Sequence, residues 1–89
     1  MTSEQKQLKK ILVKNLKKYR QRLNLTQEQA AEKADITTKY WQRLEMESQV
    51  DLPSLPTLQK LAKVLGVQVS DLMKEWNLRG LREGNAWII

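Results

Sequence analysis

Residues 25–45 read LTQEQAAEKADITTKYWQRLE, and the spacing of polar and apolar residues divides this stretch into two short helices. Thr26 is placed to cap the first, with Gln29 three residues on completing a capping box. That helix is expected over about Gln27–Ala34, because Asp35 offers a left-handed or turn conformation. Thr37 or its neighbour restarts a helix that runs through Lys39, Tyr40, Trp41, Gln42, Arg43, Leu44 and Glu45. Two short helices meeting across a turn of about three to four residues form a helix-turn-helix arrangement.

On the N-terminal side, Leu8, Ile11, Leu12, Leu16, Tyr19 and Leu23 recur at helical steps. They fall within an arc of roughly 140° at 100° per residue, so they predict one amphipathic helix with a buried stripe. Most of its lysines fall outside the arc, and Asn24 suits a left-handed helix end. On the C-terminal side, MESQVDLPSLP reads as a loop in which Pro53 disfavours helix at Leu52. Ser54 then caps a helix with Pro56 in its first turn, an apolar face of Leu55, Leu58, Leu61, Ala62 and Leu65, and Gly66 at its end. Ser70 is expected to cap a fifth helix, with Asp71 near its N-terminus and Leu72, Met73 and Trp76 as its apolar residues. The fold class expected is all-α: a five-helix domain over 1–77 with an extended N-terminal helix, followed by a C-terminal tail, 78–89, that ends in apolar residues.

Charge is distributed unevenly. The 89 residues hold 16 Lys and Arg against 10 Asp and Glu, a net charge of +6. Residues 1–25 carry Lys6, Lys9, Lys10, Lys14, Lys17, Lys18, Arg20 and Arg22 against Glu4 alone, and the remainder of the chain is close to neutral. Such a field suits a polyanion, nucleic acid before an anionic membrane surface, while a solvated lysine face remains the plainer alternative. The chain has no Cys and no His. It therefore lacks the usual parts of a disulfide framework, a zinc knuckle, a thiol nucleophile and a serine-type triad. Its apolar runs are too short to span a bilayer, and its polar start lacks the core of a signal peptide. These features predict a cytoplasmic protein with no membrane partner and no cofactor.

LTQEQAAEKADITTKYWQRLE followed by PSLPTLQKLAKVLGV (53–67) resembles the XRE/Cro-type helix-turn-helix family, which includes the lambdoid phage repressors. With Leu12, Leu16 and Arg20 before them and Ser70, Asp71 and Leu72 after, the likeness covers about residues 12–75. The resemblance implies a DNA-binding transcription regulator from a prokaryotic or phage cytoplasm, with no enzymatic activity. Its recognition helix would be about residues 37–45, lying in the major groove of double-stranded DNA. Thr37, Thr38, Lys39 and Arg43 occupy positions of base contact, where Lys and Arg can donate to guanine and Thr can touch a thymine methyl. Gln27 and Tyr40 stand at positions of phosphate contact, and Lys14 and Lys17 on the cationic first helix are added to them on charge. Arg20 and Glu45 match a structural ion pair between the first and third helices. Members commonly pair two-fold on palindromic sites, so a dimeric repressor is expected, with Met73, Trp76, Trp87, Ile88 and Ile89 as interface candidates.

Three departures from the family pattern matter. Asp35 stands where Gly is usual at the motif turn. Ala30 and Trp41 stand where Leu and Ile or Leu are usual, so the indole is expected to fill the volume the small residue leaves. The loop before Pro53 is about two residues longer than the common form and carries Glu47 and Asp51 rather than basic residues. Those acids are expected to face away from DNA or to weaken phosphate contacts, shifting the grip to the first helix. Lys6, Lys9 and Lys10 lie beyond the usual family start and are read as solvated in preference to phosphate-bound. Other functions compatible with the sequence are an antitoxin or restriction–modification controller of the same fold, with a toxin or other protein partner. A protein-interaction module using Trp41, Trp76 and the apolar tail is a further alternative.

Overall fold

A computed structural model describes residues 3–49 and 51–75, and among these it contains five helices and no strand. They are α1 (Ser3–Arg22), α2 (Gln27–Lys33), α3 (Thr38–Leu44), α4 (Leu55–Leu65) and α5 (Val69–Leu72). α2 packs on α3, and α5 bridges α1 and α4. The core is one cluster made of Leu12, Leu16 and Tyr19 from α1, Ala30, Ala31 and Ala34 around α2, Trp41 and Leu44 from α3, Leu61, Ala62 and Leu65 from α4, and Leu72 from α5.

Trp41 and Ala30 are both fully buried in that cluster. Their shared burial agrees with the expectation that the indole takes up volume left by the small residue.

Three helix ends close by the same geometry. Asn24, Asp35 and Gly66 have φ of 58°, 59° and 70°, all left-handed. In each case the next residue donates its N–H back across the end: Leu25 to Arg20 O at 3.1 Å, Ile36 to Ala31 O at 3.0 Å and Val67 to Ala62 O at 3.0 Å. This satisfies carbonyls that the end of a helix would leave without partners. At the N-terminal ends, the capping box of Thr26 and Gln29 is formed, and Thr37 and Ser54 accept from Tyr40 N and Thr57 N.

The structure corrects four expectations. The buried face of α1 differs from the predicted stripe: Leu8 and Leu23, toward its two ends, are exposed, whereas Lys9, Val13 and Asn15 are buried. The difference follows from what covers the helix. α5 meets one side of it, where Asn15 Nδ2 donates to Leu72 O and Lys74 O, both at 2.7 Å. The end of α3 and the loop after it meet the other. There Lys9, expected in solvent, is 1% exposed and donates from Nζ to Arg43 O and Asp51 O, both at 3.2 Å. In α4, Leu55 is exposed rather than part of the apolar face. Finally, α5 starts earlier than Ser70: Gln68 is its N-cap residue, and Asp71 Oδ2 accepts from Gln68 N at 2.9 Å.

Asp35 and Gly66 carry a direct test. Replacing Asp35 by Gly relieves a left-handed non-glycine residue and should stabilise the fold by about 0.5–1 kcal/mol in urea denaturation. An added Cβ at Gly66 meets nothing within 4 Å, so Gly66→Ala should lose only the conformational term, about 1 kcal/mol.

Candidate nucleic-acid interface

The helix-turn-helix is held together at Glu45, the residue that follows α3. Its side chain is 1% exposed, and that of Arg20 is 11% exposed. Arg20 Nε donates to Glu45 Oε2 at 2.7 Å and Arg20 Nη2 to Oε1 at 3.0 Å, a two-pronged pair. Gln27 Nε2 donates to Oε1 at 2.9 Å, and Trp41 Nε1 to Oε2 at 2.6 Å. The third prong of the guanidinium, Nη1, reaches Leu25 O at 2.8 Å, in the turn before α2. Burial alone would raise the carboxyl pKa of Glu45, but the hydrogen bonds from Arg20, Trp41 and Gln27, with the charge of Arg20, hold it below the ordinary carboxylate value.

With its inner face so fixed, α3 presents the other face outward. Thr37, Lys39, Tyr40 and Arg43 line one shallow groove together with Gln42, Met46 and Gln49. Four of the residues singled out by the sequence are thus brought together. Thr38 is not among them; it lines a neighbouring groove against α2 with Glu28, Glu32 and Asp35, which Thr37 also borders. Tyr40 is half-buried and packed against the core. Gln42 was missed by sequence reasoning, although its position one turn from Lys39 and beside Arg43 was the available signal. Its amide can pair with adenine N6 and N7.

The residues expected on phosphates lie in different settings. Gln27 is half-buried and spends part of its side-chain amide on Glu45. Lys14 is exposed in a groove with Lys10, Asn15, Lys74 and Glu75, on the side of α1 that meets α5. Lys17 is exposed, one helical turn before Arg20. Lys18 and Arg22 both lie over the Tyr19 ring, at 5.0 and 4.8 Å from its centroid.

In the loop after α3, Asp51 does not simply face away. Its Oδ2 lies 3.3 Å from Arg43 Nε. Burial lowers the pKa of the Lys9 ammonium beside it, with Asp51 opposing that shift and Arg43 adding to it. Glu47 borders a separate groove with Lys6 and Lys10.

Of the interface candidates, Met73 is half-buried against the core, and Trp76, Trp87, Ile88 and Ile89 lie outside the described residues. Trp41 is fully buried, which removes it from any docking surface and overturns its part in the interaction-module alternative. Among the described residues no group of three or more acidic, His or Cys side chains is placed to hold a metal, and no helix is long and apolar enough to cross a membrane.

A model of the helix-turn-helix family matches residues 16–72, from the middle of α1 to the end of α5. The chain belongs to the XRE-type helix-turn-helix family, whose members are DNA-binding regulatory domains. Neither curated proteins nor solved structures give a match to the chain.

The buried pair makes a two-part prediction. Arg20→Ala and Glu45→Ala should each cost about 3–5 kcal/mol in denaturant unfolding, with the double mutant well short of the sum, because either single change strands a buried charge. The Glu45 carboxyl is depressed in the folded state, so its contribution is complete above the unfolded value of 4.5. It should be lost as pH falls below that value and through the folded pKa. The stability gap between wild type and Glu45→Gln should therefore narrow in acid. A gap constant from neutral pH to pH about 3 would contradict this linkage.

Proposed function

We propose that the chain is a sequence-specific transcription regulator, a dimeric repressor that reads a palindromic operator in double-stranded DNA without a cofactor in a prokaryotic or phage cytoplasm. The observation that carries this reading is the shared outer groove of α3, where Thr37, Lys39, Tyr40, Gln42 and Arg43 meet on the second helix of the matched motif. Their chemistry suits a base edge: long donors for guanine, an amide for adenine, and a hydroxyl and methyl at the helix start. Tyr40, packed against the core, and Gln27, beside the start of α2, suit the flanking phosphates. Two-fold pairing would place two such helices about one turn of DNA apart, giving a contact area and specificity that one small domain lacks.

Lys17, exposed on the face of α1 next to Arg20, is assigned to backbone contact. Lys14 is assigned to a more distant phosphate or to solvent, because it sits toward α5.

Selection of bound sequences from random duplex DNA should return a palindrome with half-sites about 10 base pairs apart. On that sequence, Lys39→Ala and Arg43→Ala should each weaken binding by about 1–3 kcal/mol and relax one base position. Lys17→Ala should weaken every duplex alike and reduce the salt slope by about one. Unchanged base preference in both α3 variants would remove α3 as the reading helix.

A further inference from the structure

Arg43 is proposed above to read a base, yet its side chain is already engaged from outside α3. Its Nε lies 3.3 Å from Asp51 Oδ2, in the lengthened loop. Both side chains are about half exposed, and an isolated pair of this kind would be weak and screened by salt. Here the acid is anchored from below. Lys9, 1% exposed, donates from its Nζ both to Asp51 O and to Arg43 O, each at 3.2 Å. One buried ammonium thus ties the backbone of the acid to the backbone of the arginine that the acid pairs with.

A buried lysine on a small domain is costly and is satisfied only by specific acceptors. A solvated lysine at position 9 would cover the helix at no such cost. Its burial therefore marks the tie between the loop and α3 as a specified feature of this chain.

We propose that Asp51, fixed in place by Lys9, is a positioning residue for Arg43 that sets its preference for guanine over phosphate. The contact through Nε leaves the Nη1 and Nη2 edge uncommitted, the edge that matches guanine O6 and N7. An arginine with its fork pre-oriented loses less freedom on meeting a base. The adjacent carboxylate also offsets its charge, which weakens the non-specific pull of any nearby phosphate. The acidic loop, which by charge alone opposes DNA, would then raise discrimination at the expense of general affinity. This inference rests on Arg43 being a base contact.

Asp51→Asn preserves shape at a half-exposed position and removes the charge. With the full chain, affinity is measured across a salt series for random-sequence duplex and for the duplex enriched from it by selection. Asp51→Asn should tighten binding to random duplex, steepen its salt slope by about 0.9 as Arg43 becomes free to take a phosphate, and lower the selected-to-random ratio about fivefold. The loss should fall at the guanine position that Arg43→Ala also relaxes. Lys9→Met should lower the ratio at the same position without tightening random binding, since it removes a positive charge. Should Lys9→Met not melt cooperatively, Lys9→Arg, which keeps the charge but displaces its donors, replaces it with the same expected drop.

Equal tightening on both duplexes would make Asp51 a simple repulsive charge and overturn the proposal, as would no change on either. A wild-type ratio in a folded Lys9 variant overturns the role of Lys9. If Arg43→Ala itself leaves base preference intact, the assignment of Arg43 as a base contact fails, and this inference with it. If Arg43→Ala relaxes preference and Asp51→Asn does not, the positioning role alone fails.

Discussion

The arrangement of the first three helices depends on a single carboxylate. Glu45 follows the C-terminal end of α3, where the helix dipole disfavours negative charge, and its side chain is shut off from water. Nothing about that location favours an acid except the donors aimed at it. They come from Arg20 on α1, Gln27 on α2 and Trp41 on α3. Each helix is therefore held to the others through the same two oxygen atoms. A hydrophobic contact of similar size would tolerate sliding; a charge surrounded by directed donors does not, which fixes the angle between α2 and α3 as well as their proximity.

The cationic helix turns out to have two occupations. Of its eight basic residues, Arg20 is committed to Glu45, and Lys9 is committed to the carbonyls of Arg43 and Asp51. Both grip the C-terminal end of α3 from beneath. What the net charge first indicates as a handle for a polyanion is in part a bracket for the outward-facing helix, while Lys18 and Arg22 lie over the Tyr19 ring. Asn15 extends the same pattern on the opposite side, donating to one carbonyl at the end of α5 and one just after it. α1 thus organises both ends of the domain through buried polar groups as well as through its leucines.

Most elements and boundaries were legible where the signal was local; Ser70 is the exception, since Gln68 rather than Ser70 caps α5. Thr26, Thr37, Ser54, Asn24, Asp35 and Gly66 each act within a few residues of their own position, and the structure uses all six at helix ends. Arg20 and Glu45 could be paired because the family pattern supplies the long-range match that a single sequence does not. Lys9 had no such aid. It sits next to Lys10 in a run of lysines, and its burial depends on carbonyls 34 and 42 residues away, one near the end of α3 and one in the loop after it, whose course has no sequence signature. Leu8 and Leu23 misled for the converse reason: periodicity reports which side of a helix is apolar, not where its neighbours stop covering it. Gln42 was not among the residues the family pattern marks, although its place on the outward face of α3 was the available guide.

Within α3 the residues divide cleanly by direction. Trp41, Leu44 and the adjoining Glu45 are buried, while Lys39 and Gln42 are exposed on the far side. Exchanging either of the exposed pair touches neither the core nor the carboxylate that fixes the helix. Arg43, paired through its guanidinium with Asp51, has less latitude. Over evolutionary time such a domain can vary at these two outward positions while its melting behaviour stays constant, and it must alter position 43 together with position 51 opposite. Divergence among descendants of this chain would then leave a correlated pair at 43 and 51 beside freely varying 39 and 42, with position 9 kept as a donor to the two carbonyls.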